Sequence, residues 1–225
     1  MKKVLELLLE TGTRELLMLS LNSNTILRAG ITLTGTTIIS FGIAWMRFSG
    51  MGTDPFVTMN IGISHITSVD FGTVQMLANL VILLLMLIYS PLWIHLGTVL
   101  GIFFVGYFSD YVLVWLQIFP DTLAVRIVAL AIGLLACCFG VAVYMTAGMG
   151  IAPYDALGMI LVDKIGPKVT YREIRIVTDI CCVAVGFVLG AQVGIGTFIT
   201  AFLTGPLINF FRKIIGASLA VSQVR

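Results

Sequence analysis

Six stretches of the chain are apolar over about the 20 residues that a membrane-spanning helix requires: 29–48, 72–90, 95–117, 126–147, 173–191 and 195–211. Two shorter segments, 55–66 and 153–165, lie between the first and second stretches and between the fourth and fifth. At 1.5 Å per residue each covers only about 18–20 Å, less than a hydrocarbon core of roughly 30 Å. Both are expected to be half-helices, re-entrant or interfacial. Each opens on a glycine and proline break, Gly50-Met51-Gly52-Thr53-Asp54-Pro55-Phe56 and Gly148-Met149-Gly150-Ile151-Ala152-Pro153-Tyr154, the second followed by Asp155. Such a break is costly in lipid, where an unpaired backbone group finds no water to bond. Two copies at corresponding places point to a working part, with Gly50, Gly52, Pro55, Gly148, Gly150 and Pro153 as the breaking residues.

The pattern repeats along most of the chain. The second break follows the first by 98 residues, and Gly35, Phe41, Gly42 and Ala44 meet Gly133, Phe139, Gly140 and Ala142 at that same offset. After a two-residue slip Asn79 falls opposite Asp179. Gly97-Thr98, Phe103, Gly106 and Asp110 then match Gly196-Thr197, Phe202, Gly205 and Asn209 at an offset of 99. The organisation expected is an interfacial amphipathic segment over 1–25, membrane repeats over 26–122 and 123–213, and a cytoplasmic tail over 214–225. Three full spans per repeat would turn the second copy upside down, as in many secondary transporters. If the half-helices crossed completely there would be eight spans and parallel repeats, and only their length argues against that.

Composition agrees with a polytopic all-α membrane bundle of about six spans. The chain has 225 residues, 59% apolar and 11% charged, where a soluble domain carries about 25% charge. Its mean hydropathy is +1.07. Net charge is +2, and Lys and Arg gather at the edges of apolar runs rather than in a patch that would grip nucleic acid. Lys164, Lys168, Arg172 and Arg175 crowd the stretch after the second half-helix, whereas 67–71 has no basic residue. With Arg28 and Arg212-Lys213, the positive-inside rule places both termini in the cytoplasm. The first 25 residues mix Leu with Glu6, Glu10, Arg14 and Glu15, which breaks up a signal-peptide core. Trp45, Trp93 and Trp115 sit near run ends, as interfacial anchors would.

Taken together, GMGTDPF, HLGTVLGIFFVGYFSD and GIGTFITAFLTGPLIN resemble the YczE/YyaS/YitT-type family of bacterial integral membrane proteins, over about residues 30–212. The second copy departs from the fuller pattern, with Ile151-Ala152 where the first has Thr53-Asp54. The resemblance implies a multi-pass protein of the bacterial inner membrane. Members of that family are often encoded beside regulators of the pyridoxal-phosphate-sensing kind, so the resemblance also implies a link to vitamin B6 compounds.

Charged side chains are scarce inside membrane helices, where insertion costs about 2.5–3.5 kcal/mol each, so those present become site candidates. Asn79 with Asp179, and Asp110 with Asn209, would place four polar groups around one pseudo-twofold axis and bind substrate or a coupling proton; helix-helix bonding is the competing role. Asp54 and Asp155 flank the prolines, either as caps or beside helix N-termini that could face an anion. The Gly-Thr pairs suit close helix packing. His95 and His65 carry no pattern. Cys137-Cys138 and Cys181-Cys182 point about 100° apart on a helix, unlike a zinc clamp, and are expected to be small packing residues. No catalytic constellation, metal spacing, cofactor motif or phosphate loop is present, so an enzyme is the least supported class. The expected partners are the lipid bilayer and a small-molecule substrate, with a homo-oligomer left open. The function expected is secondary transport of a polar metabolite; the rival is a non-catalytic partner or substrate-capturing subunit of a separate energising complex.

Overall fold

In a computed structural model, residues 23–91, 94–150, 152–166 and 169–222 are described. Eight helices and no strands lie among them: α1 Ser23–Ser49, α2 Pro55–Thr67, α3 Phe71–Tyr89, α4 Leu96–Leu116, α5 Leu123–Ala147, α6 Pro153–Ile165, α7 Tyr171–Val188 and α8 Ile195–Ser222. Five of them, α1, α3, α4, α5 and α8, are long and apolar enough to cross a membrane. The sixth expected span, α7, has 18 residues but carries Arg172, Glu173, Arg175 and Asp179, so its composition falls short. The two short helices have 13 residues each, as their apolar lengths required.

The repeated break does the same thing to the backbone twice. Gly50 and Gly148 both adopt φ +62°, and Gly52 and Gly150 adopt +107° and +108°. Glycine alone enters these left-handed values without a Cβ penalty. Pro55 and Pro153 then open α2 and α6 at positions that need no amide donor. Asp54 caps α2, its Oδ1 accepting from Phe56 N at 3.0 Å and Val57 N at 3.4 Å. Ala152 offers α6 no such bond.

Packing follows the glycines. A Cβ at Gly35 would meet Gly140 and Tyr144, and one at Gly42 would meet Gly133 and Cys137, so α1 and α5 lie antiparallel with their backbones in close approach. The two contacts are equivalent under the sequence repeat. A second reciprocal pair joins the breaks to the other half: Gly97 N donates to Met149 O at 3.0 Å, and Gly196 N to Met51 O at 2.8 Å. Each half-helix also packs against the opposite half, α2 on α7 and α6 on α3. Phe56, Ile82, Met86, Tyr154, Ala156, Ile160 and Cys182 form the shared core. The outer surface is apolar, with Val81, Leu84, Ile88, Phe198 and Phe202 exposed, which suits a lipid surround.

One pairing is not reciprocated. Gly72 of α3 presses on Gly106 of α4, whereas a Cβ at Gly205, the equivalent position of α8, would meet nothing within 4 Å.

Several expectations change. Arg175 is not in a basic loop; Thr170 and Glu173 form a capping box that starts α7 at Tyr171, which puts Arg175 inside the helix. Helix α8 runs on to Ser222, past the expected tail boundary at 214, and α1 starts at Ser23, inside the expected 1–25 segment. Residues 1–22 of that segment, Trp93 and Lys168 lie outside the described residues.

Candidate functional site

Between the two halves lies a cavity of about 220 Å³. Its walls are mainly apolar, from Ile39, Ile43, Met46, Val57, Leu134 and Val141 among others. Its polar lining includes Asp54, Gln75 and Asn79 from the first half and Tyr144, Tyr154, Asp155 and Arg175 from the second. Both half-helix starts reach it, through Asp54, Phe56, Ala152 and Pro153, so the positive ends of two helix dipoles face one space.

Arg175 organises the charged side. Its Nη1 donates to Asp155 Oδ1 at 2.5 Å, and its Nε stands 3.4 Å from Asp179 Oδ1, one helical turn on. The guanidinium lies 4.3 Å from the centre of the Tyr154 ring. Tyr154 donates its hydroxyl proton to Asp179 Oδ1 at 2.6 Å and stacks on Phe56 at 4.6 Å. Asp54 lines the same cavity as Arg175, while its own hydrogen bonds go to the amides of α2.

The four Asp and Asn candidates are separated. Asn79 lines the cavity and Asp179 lies behind Tyr154. Asp110 is elsewhere: it accepts from Arg47 at 2.7 Å and from Gly72 N at 2.6 Å, closing α3 onto α4 and onto the end of α1. Asn209 sits on the exposed side of α8, outside the cavity lining. Asp54 and Asp155 both line it. Instead of a ring of four around one axis, Asn79, Asp54 and Asp155 line one cavity with Arg175, and Asp155 and Asp179 are the carboxylates paired with it.

Arg175, Gln75 and Tyr154 were missed in the sequence, although the signal was there. The offset of 100 that aligns Asn79 with Asp179 also aligns Gln75 with Arg175, and the offset of 98 aligns Phe56 with Tyr154. In the first half the amide pair Gln75 and Asn79 stands where the second half has an ion pair. Gln75 Oε1 accepts from Asn60 Nδ2 at 2.5 Å.

Comparison with known sequences agrees with the resemblance read from the motifs. The profile of a family of unknown function (DUF6198) matches residues 26–213. An uncharacterised protein of Haemophilus influenzae is 30% identical over 187 residues, 82% of this chain and 83% of that one. The uncharacterised membrane protein YczE of Bacillus subtilis is 26% identical, covering 82% of this chain and 85% of its own. The uncharacterised protein YyaS of the same organism is 27% identical, over 80% and 90%. No solved structure matches the chain.

Proposed function

The chain belongs to the DUF6198 family, and for this multi-pass membrane protein we propose secondary transport of a small polar molecule across the bacterial inner membrane. The observation that carries the reading is the cavity at the junction of the two repeats, where both half-helix starts and an ion-paired cluster meet inside an apolar bundle. Ionisable groups in such a place are costly and serve substrate or proton pathways. The halves are taken as inverted repeats, as transporters with midplane sites and broken helices use them. The antiparallel α1 and α5 and the reciprocal contacts of Gly35 with Gly140 and Gly42 with Gly133 support that arrangement. Transport then follows from rocking one half against the other. The closed seam of α3 on α4 and the unsealed α7 and α8 would be one of its two end states. The basic residues Arg28, Lys164, Arg172, Arg212 and Lys213 support an orientation with both termini in the cytoplasm.

The test is uptake by proteoliposomes from a panel of metabolites that includes B6 vitamers, with wild type and Asp179→Asn. A solute moved by the wild type and lost in the variant supports the reading; movement unchanged in the variant removes Asp179 from the mechanism. A second reading, as a subunit of a larger energising assembly, is favoured by the exposed face of α8, where Phe198, Phe202 and Phe210 are 64%, 78% and 56% exposed. Co-purification of a stoichiometric ATPase in mild detergent would favour it, and flux by the isolated protein would exclude it.

A further inference from the structure

We propose that the cavity takes a small organic monocation with an apolar body, such as a protonated arylalkylamine, in competition with a proton. The inference rests on reading the cavity as the site of the transported solute and adds the charge and shape of that solute.

Charge is the first argument. Asp155 and Asp179 both engage Arg175, and Asp54 lines the same cavity with its hydrogen bonds going to the amides of Phe56 and Val57. Three carboxylates thus stand at this site with one guanidinium, which pairs with two of them. The starts of α2 and α6 contribute roughly +0.5 each, which leaves about one negative charge without a partner in a low-dielectric space. Such a group binds a proton or a cation rather than staying bare.

Among the described residues, no other side chain lining the cavity supplies that cation. The repeat equivalent of Arg175 is Gln75, which is neutral and bonded to Asn60. Arg47 is committed to Asp110 and Arg126 to Asp121, while Lys164 lies over the ring of Tyr89.

Shape is the second argument. Tyr144 is buried and lines the cavity, with its hydroxyl beside Thr98. Aliphatic walls and the stacked pair of Phe56 and Tyr154 suit the apolar body of an amine, and aromatic faces also attract its charge. Titratable groups facing Asp54 and its ligand are Asp155 and Tyr154 of α6, Arg175, Asp179 and Cys182 of α7, and Cys137, Cys138 and Tyr144 of α5. Helices α1, α3, α4 and α8 give the cavity lining no titratable side chain.

The experiment uses three molecules of nearly one shape and different charge: phenethylamine, 2-phenylethanol and phenylacetate. Binding to the purified full chain is followed by thermal shift and titration calorimetry at several pH values, for wild type and Asp54→Asn. Asn caps a helix about as well as Asp, so the variant keeps the start of α2 while losing the charge. The expected result is selective binding of the amine, weakening by up to about tenfold per pH unit on acidification below the carboxylate pKa, and a loss of about tenfold or more in Asp54→Asn. Equal binding of all three molecules, preference for phenylacetate, binding that ignores pH, or no binding of the amine each overturns the inference. Proteoliposome flux separates this from the reading beneath it. Amine binding without flux of any solute sinks transport and leaves the cation site. Flux of neutral or acidic solutes without amine binding does the reverse.

Discussion

The rings of Phe56 and Tyr154 stack on each other with centroids 4.6 Å apart and planes 16° apart, although the two residues occupy equivalent positions of the two repeats. A contact between a position and its own equivalent marks a local two-fold relation. Here it lies where both half-helices begin. Tyr154 also has the Arg175 guanidinium over its ring and its hydroxyl on Asp179, so one side chain ties the symmetric contact to the asymmetric charge cluster.

Truncating this pair separates packing from chemistry. Phe56→Ala is expected to destabilise the protein by about 3–5 kcal/mol through the cavity it leaves. Tyr154→Phe keeps the stack and removes one charge-assisted hydrogen bond, costing about 1.5–3 kcal/mol. Thermal denaturation in detergent gives the order, and the account requires Tyr154→Phe to shift ligand affinity out of proportion to its smaller effect on stability.

The Arg47 and Asp110 pair is assigned a holding role. Asp110→Asn is expected to destabilise the fold by about 1–3 kcal/mol, because it weakens a charge-assisted bond and leaves a largely buried guanidinium without its counter-charge. Ligand binding at the cavity should stay within twofold of wild type under conditions where the variant is folded. A binding loss as large as that of Asp54→Asn, at unchanged stability, would move Asp110 into the site.

Gly42 and Gly205 offer a matched contrast. Alanine at Gly42 places its Cβ 2.6 Å from Cys137 N and 2.7 Å from Gly133 O, both backbone atoms that cannot swing aside, so about 1–3 kcal/mol of overpacking is expected. Alanine at Gly205 meets nothing within 4 Å and should leave the melting temperature unchanged. If the alternate state closes α8 onto α7 as α4 closes onto α3, Gly205→Leu should slow transport without weakening binding.

Topology can be read by thiol labelling in a cysteine-free background. With six spans and inverted halves, a cysteine at Ser68 labels with an impermeant reagent from outside the cell and one at Asp163 only after the membrane is opened. With eight spans and parallel halves, both would be reached from the cytoplasm.

Much of this was legible in the chain. The five apolar spans and the two 13-residue helices follow from run length and from glycine and proline, which act locally, and the Asp54 cap follows from its place before Pro55. The charged site was harder to find because its parts carry opposite signals. Arg175 reads as one of several basic residues after the second half-helix, at the very start of the span expected from 173, and the Thr170 and Glu173 box that starts α7 at Tyr171 sets it a full turn inside the helix. Asp110 looks like a site residue because an isolated carboxylate in an apolar run is rare; its partner Arg47 comes from another helix, and that meeting depends on how α1, α3 and α4 cross. Asn209 has no such seam to join, since α8 stands away from α7.

The most direct test of the account is amine flux in proteoliposomes under an imposed pH gradient, comparing wild type with Asp54→Asn. Above the accumulation in protein-free vesicles, which the permeant free base supplies by itself, phenethylamine should accumulate faster in wild-type vesicles when protons flow the other way, and that excess should fall at least about tenfold in the variant. Equal accumulation in the two proteins, or accumulation indifferent to the gradient, would contradict the central claim that the cavity exchanges a cation for a proton.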